Sequence, residues 1–346
     1  MPDKSRLWTF LTKPLLLSLA AGMALCATAV TSAHAAEKIN FMLNWVAGGD
    51  HAPYYYAQKM GWYKKAGLDV NIIQGSGSNV AVQRVAAGVD QIGLADFPTM
   101  LIANGKGAHL VAVMAIYANS PQGIYWLKSS GIKSVKDLAG KKIGNPPGDA
   151  ARAMWPALAK KVGIPANSVT WVNIAPNAKI AALKAGTIDA TTSFYNINYI
   201  FRRVLGKNMG FASWRSLGIN PYGNSIFLRE SYLKAHKNAV AKFVAVTQKA
   251  FAACVATPKP CIDALIEANT GLKYSGQIQN WHEVEELMSS HTTQTVALGW
   301  FNPKRMVYTY DLVKKYIGFE KPFPVAATYT NEFLSKKYKM KPMKLP

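Results

Sequence analysis

The chain has 346 residues, 40 Lys and Arg against 18 Asp and Glu, and a formal charge of +22. The lysines fall in scattered pairs such as Lys64-Lys65, Lys141-Lys142, Lys160-Lys161, Lys314-Lys315 and Lys336-Lys337 rather than in a stripe, which argues against a nucleic-acid partner. There is no His-x-x-x-His or Cys-x-x-Cys spacing, so no metal or cofactor is expected.

Residues 1–35 read as a secretory signal. Lys4, Arg6 and Lys13 precede the apolar run Leu15 to Val30, and Ala33-His34-Ala35 has the small-x-small cleavage pattern. Cys26 follows Leu25, which disfavours a lipidated cysteine. Cleavage near Ala35 delivers the mature chain to the periplasm with a charge of +20, since the leader contributes +2. No later segment is read as apolar for long enough to cross a bilayer. About 310 residues remain, enough for two domains. Cys254 and Cys261 form an even pair in an exported chain, which favours a disulfide across the turn Thr257-Pro258-Lys259-Pro260.

In the mature chain, strand and helix alternate. Ile39 to Leu43 is a strand. A glycine-rich loop leads into a helix carrying Tyr54 that stops at Gly67. Leu68 to Ile73 is the second strand, and Gly75-Ser76-Gly77-Ser78 opens a helix ending at Gly88. Strands at Gln91–Ala95 and His109–Ala115 flank the helix Phe97–Asn104, and Gly123–Leu127 is a further strand. The pattern then restarts. Lys142–Gly144, the helix Ala150–Val162, Val169–Ile174, a helix from Asn177 to Gly186 and Ile188–Ser193 form a second run. Helix, Ala87-Gly88-Val89-Asp90, strand faintly matches helix, Ala185-Gly186-Thr187-Ile188-Asp189, strand, one residue out of step. After the strand Asn224–Leu228 the chain turns helical, with a long helix expected over Ser231–Ala256 and others at Ile262–Ala268, Gln277–Ser290 and Pro303–Ile317.

Such alternation implies parallel sheets covered by helices, with a ligand beyond the carboxyl ends of the strands. The candidate residues follow from that placement. Trp45, Tyr54, Tyr195 and Tyr222 offer rings to a planar ligand. Ser76 and Ser78, at a glycine-rich helix start, offer amides and hydroxyls to an anion, with Asn177 in the matching place of the second run. Asn44, His51, Asp96, Asn119 and Asn196 offer hydrogen bonds to ligand edges.

Asn44-Trp45, His51-Ala52-Pro53-Tyr54, Gly67-Leu68-Asp69-Val70, the turn at 75–78, Ala95-Asp96 and the C-terminal Tyr329-Thr330-Asn331-Glu332-Phe333-Leu334 together resemble a known family. It is the exported solute-binding proteins of bacterial ABC importers, of the nitrate/sulfonate/taurine type and its thiamine-pyrimidine-like branch. The resemblance implies an α/β, two-lobed type II periplasmic binding protein fold, with ligand in the cleft, two hinge crossings, and a permease with its ATPase as partners. The expected lobes are 36–125 with 226–346, and 126–225, with Ile124–Leu127 and Ser225–Leu228 as the crossings. A monomer is expected. The leading ligand is a planar nitrogen heterocycle such as a thiamine pyrimidine precursor. The alternative is a small anion such as an alkanesulfonate, taurine or nitrate. The enzyme relative that makes the thiamine pyrimidine carries a cysteine-rich run. Residues 126–225 hold no cysteine, so the chain is expected not to be an enzyme.

Overall fold

The computed structural model describes residues 36–342; the expected signal segment lies outside them. Among the described residues ten strands form two five-stranded sheets. In the first, β1 (Glu37–Met42) lies between and parallel to β2 (Leu68–Ile73) and β3 (Ile92–Asp96). β4 (Leu110–Ala115) follows, and β5 (Gln122–Leu127) opens the second sheet. There β6 (Lys142–Asn145) lies between and parallel to β7 (Thr170–Asn173) and β8 (Ala190–Phe194). β9 (Met209–Ser213) closes that sheet, and β10 (Asn224–Arg229) returns to the first.

The two sheets share one plan. In each, an antiparallel strand separates the third parallel-run strand from the last: β10 between β3 and β4, β5 between β8 and β9. Each separating strand enters from the other half of the chain. Ile124–Leu127 and Ser225–Leu228, expected to be crossings, are therefore sheet strands. The crossings are the segments just before them, 116–121 and 214–223. They run side by side, with Gly223 N–H donating to Tyr117 O at 3.0 Å and Tyr117 N–H to Asn224 O at 2.9 Å.

The repeat is also visible in detail. The matching helix of each run ends in a left-handed glycine, Gly88 in the first and Gly186 in the second. Val89 N–H reaches Arg84 O, as Thr187 N–H reaches Ala182 O, which satisfies the last carbonyls of each helix. The one-residue slip has a physical reason. The residue equivalent to Asp189 is Gln91, not Asp90. Gln91 Oε1 accepts from Asn40 N–H at 2.9 Å, and Asp189 Oδ2 accepts from Lys142 N–H at 2.7 Å, each pinning the start of the next strand to the central one. Asp90 instead takes the guanidinium of Arg84 at 2.6 Å.

The second half of the chain differs from the sequence reading. The long helix breaks at His236 into Glu230–Ala235 and Lys237–Ala256. A helix at Asn198–Leu205 and the strand β9 were not expected. Lys237–Ala256 is, by length and composition, apolar enough to cross a membrane, contrary to expectation. Its apolar face is used within the fold. Phe243 meets Phe41 of β1 at 5.2 Å between ring centres, and Phe251 meets Tyr54 at 5.3 Å. Burying each such ring contributes roughly 1.5–3 kcal/mol.

Cys254 and Cys261 are bonded and join Lys237–Ala256 to the helix Pro258–Ala268. Cross-linking so short a loop stabilises the fold by about 2–3 kcal/mol on the chain-entropy estimate. Replacing both cysteines by serine should lower the urea midpoint by a corresponding amount with an unchanged slope, and an unchanged midpoint would contradict that role.

Candidate functional site

Where β1 ends, Asn44 and Trp45 are held by the turn after β2. Gly77 N–H donates to Asn44 O at 2.8 Å and Gly75 N–H to Trp45 O at 3.0 Å. Both glycines are required by close approach. A Cβ on Gly75 would stand 2.0 Å from Leu43 O, and one on Gly77, at φ +143°, 2.2 Å from Gly148 O. Asn79 N–H donates to that same Gly148 carbonyl at 3.1 Å, so the turn abuts the loop that follows β6.

These contacts narrow the anion reading of the turn. The amides of Gly75, Gly77 and Asn79 donate to protein carbonyls and are not free for a ligand. Ser76 is exposed and outside the cavity. Ser78 does line it, but its hydroxyl accepts from Asp96 N–H at 3.0 Å.

The cavity occupies about 510 Å³ between the two sheets. Asn44, Trp45, Ser78, Asn177 and Asn196 of the expected residues line it. The others do not. His51 is fully buried behind Asn44, donating from Nε2 to its Oδ1 at 3.0 Å. Tyr54 is core, packed between Phe41 and Phe251. Asp96 sits below the wall, accepting from Gln122 Nε2 at 3.2 Å. Asn119 fastens a crossing to the helix Tyr274–Met288 by donating to Ser289 O at 2.8 Å. Tyr195 packs on Phe211 with Arg215 over its ring, and Tyr222 is buried against Phe301 with Asn302 N–H donating to its hydroxyl.

Of the lining residues not singled out from the sequence, those with charged, aromatic or amide side chains are Asp50, Asp149, Lys179, Phe194, Tyr199, Gln277 and Asn280. Asp149 had a local signal, because it caps the helix Ala150–Val162 by accepting from Ala151 N–H at 2.9 Å. Lys179 lies two residues past Asn177. Gln277 and Asn280 are one turn apart on a helix that joins the site only through tertiary packing.

Lys179 is the centre of the wall. Its ammonium donates to Asp149 Oδ2 at 3.1 Å and to Thr192 O at 2.7 Å, and lies 5.0 Å from the centre of the Trp45 ring. Both charges are almost wholly buried. One cation thus ties three segments of the second sheet's end to the aromatic side chain that ends the first. On the far side, Glu283 accepts from Tyr199 N–H at 3.1 Å and Arg202 Nη2 at 2.7 Å, joining Tyr274–Met288 to Asn198–Leu205. Burial raises its carboxyl to about 7 in spite of these donors.

Burial lowers the pKa of His51, against the opposing charge of Asp50. Gly48 N–H donates to Nδ1 at 3.2 Å, which places the ring proton on Nε2 and towards Asn44 Oδ1. Asn44 Nδ2 in turn reaches Asn224 Oδ1 at 3.4 Å. The 3.3 Å approach of Asp50 to Nδ1 is accordingly not an ion pair.

Burial raises the Asp96 carboxyl from 3.8 to about 7, opposed by the Gln122 hydrogen bond and reinforced by the charge of Asp149. Between those values the unfolded chain has released a proton that the folded chain keeps, so stability falls as pH rises through this window. Asp96→Asn removes that decline. Its stability relative to the parent should rise by a few kcal/mol from about pH 4 to about pH 7, read by urea unfolding at both. Parallel pH profiles would show that Asp96 is not the group responsible.

The model of the family described as NMT1/THI5 like matches residues 49–260. A protein of Haemophilus influenzae named for thiamine biosynthesis is 28% identical over 208 residues, 60% of this chain and 64% of that protein, so the chain spans under two thirds of that relative. The 4-amino-5-hydroxymethyl-2-methylpyrimidine phosphate synthase THI13 of Saccharomyces cerevisiae is 26% identical over 86% of this chain and 88% of its own. Among solved structures, the alkanesulfonate-binding protein SsuA of Xanthomonas axonopodis pv. citri superposes with a TM-score of 0.65 at 16% identity, covering 85% of this chain and 98% of that one. The periplasmic nitrate-binding protein NrtA of Synechocystis PCC 6803 gives 0.58 at 13% identity, with 86% of each chain covered. The fold is that of the periplasmic binding proteins. The expectation that the chain is not an enzyme is overturned by the relatives. Proteins of yeast, Aspergillus parasiticus and Legionella pneumophila named as the pyrimidine phosphate synthase, an enzyme, match it at 25–28% identity. With a family model matched over more than half of its length, the chain belongs to the NMT1/THI5-like family.

Proposed function

We propose that the protein closes over a small planar nitrogen heterocycle, such as a pyrimidine precursor of thiamine, as the periplasmic solute-binding component of an ABC importer. The observation that carries this reading is the make-up of the cavity wall. Trp45, Phe194 and Tyr199 supply rings, and Asn44, Asn196, Gln277 and Asn280 supply side-chain amides. Rings cover the faces of a flat ligand, and amides meet both donors and acceptors along its edge. Lys179 is the only Lys, Arg or His among the lining residues, and it is taken by Asp149 and Thr192. That disfavours the alternative of a small anion, although a sulfonate and a nitrate binder share the fold. The names of the thiamine and pyrimidine relatives support the heterocycle.

The same reading includes export to the periplasm, a monomer, and a membrane permease with its ATPase as partners. It also includes two lobes that close about the paired crossings 116–121 and 214–223. The first lobe holds the first sheet and the C-terminal helices. The second reading, conversion of a pyrimidine in this cleft, rests on the relatives named as synthases. Mass spectrometry of the ligand after incubation separates the two: recovery unchanged supports transport, and a changed mass supports turnover.

Calorimetry with 4-amino-5-hydroxymethyl-2-methylpyrimidine and with an alkanesulfonate tests the ligand class. The pyrimidine should bind, and Trp45→Ala should weaken it by about tenfold or more through the lost ring contact. Binding of the sulfonate alone would refute the heterocycle reading.

A further inference from the structure

We propose that Asp50 sets the charge of the ligand. The cavity admits a ring that presents N–H groups or positive charge to this carboxylate, and it turns away anions, including the phosphate ester of the same ring. The inference rests on the heterocycle reading for the ring and goes beyond it in charge.

Asp50 lies on the short turn Gly49–His51, is 5% exposed, and lines the cavity. One oxygen, Oδ2, accepts from the Tyr117 hydroxyl at 3.2 Å. The other stands 3.3 Å from His51 Nδ1, but that nitrogen is already an acceptor of Gly48 N–H and has no proton to give. Among the described residues no Lys or Arg forms an ion pair with Asp50. The second carboxylate of the wall, Asp149, is matched by Lys179. The wall therefore keeps one carboxylate without a cationic partner, inside a protein whose total charge is strongly positive.

Three of the amide side chains that line the cavity share the deficit. The side-chain oxygens of Asn196, Gln277 and Asn280 are buried and accept no hydrogen bond, and Asn196 and Asn280 are 5% and 4% exposed. Buried acceptors and an unpaired carboxylate are both costly unless something donates to them. A ligand bearing an amino group, an amidine edge or a ring N–H supplies such donors. A sulfonate or phosphate supplies only further acceptors and a charge of the wrong sign.

Two ring-matched probes isolate the charge: benzamidinium and benzenesulfonate. They are titrated by calorimetry into the full chain and into Asp50→Asn, alongside 4-amino-5-hydroxymethyl-2-methylpyrimidine and its phosphate. The parent should bind the cation about tenfold or more tighter than the sulfonate, and the alcohol tighter than its phosphate by a like factor. In Asp50→Asn both ratios should fall to about unity. Asp50→Glu, which keeps the charge, should retain the preference and serves if the asparagine variant does not fold. A parent that prefers the anion or binds neither ring probe overturns the proposal, as do ratios unchanged in folded Asp50→Asn. A charge preference lost in Asp50→Asn without any pyrimidine binding would sustain it and remove the heterocycle reading instead. Pyrimidine binding indifferent to phosphate and to Asp50 would do the reverse.

Discussion

The buried pair of Lys179 and Asp149, with Trp45 against the ammonium, is the interaction on which the site depends. An isolated charge at this depth would be strongly unfavourable, and the pair is tolerated because the ammonium also meets a carbonyl and an aromatic face. Its partners come from different places in the chain. Asp149 caps a helix after β6, Thr192 is in β8, and Trp45 follows β1. Fixing one ammonium therefore fixes the relation between the carboxyl ends of both sheets. It also removes from the cavity the one cation that would have drawn an anion.

The exchange of strands explains why those ends face each other. β5 and β10 are each borrowed, and each runs antiparallel between two strands of the sheet it joins. The two crossings are thereby forced to lie together, and they carry a shared set of hydrogen bonds: Gly223 to Tyr117, and Asn220 to both Asn119 and Ser120. One apolar cluster runs from Phe97 and Met100 on the first half to Met154, Trp155 and Leu158 on the second. Polar joints across the cavity, such as Glu283 with Arg202 and Tyr199, are weaker against water than this packed seam. Motion that admits a ligand is then expected to open the polar side and keep the apolar side shut.

Local pattern made the strands and the two-sheet plan legible, because alternation of apolar strands with capped helices needs no tertiary information. Asn44 and Trp45 were legible for the same reason, being at the end of the first strand. The errors share a cause. Tyr54, Tyr195 and Tyr222 lie near strand ends, turns and helix starts, but whether a ring faces a cavity or the core depends on which helix lies over it. For Tyr54 that helix is Lys237–Ala256, far along the chain. The glycine-serine turn looked like an anion cradle because its free amides were inferred from the sequence around it. The carbonyls that take the amides of Gly75, Gly77 and Asn79 belong to Trp45, Asn44 and the distant Gly148. Gln277 and Asn280 were invisible because nothing local distinguishes them from a solvated helix face.

A basic protein with an acidic cavity wall is a division of labour that net charge conceals. The surface lysines act over distances screened by salt, within about 10 Å at ordinary ionic strength, whereas a buried carboxylate acts on the ligand through an environment with little water. Two glycines decide the matter locally. Gly48 leaves room for Asp50 Oδ1, which a Cβ there would approach to 3.0 Å, and its amide occupies His51 Nδ1. Gly49 lies against the backbone of Gln277, where a Cβ would come within 2.2 Å of the carbonyl oxygen. The loop that carries the carboxylate is thus pressed onto the helix that carries the unpartnered amides, with its histidine held neutral. The deficit of donors in the wall follows from that packing, and a guest rich in N–H groups is the kind that completes it.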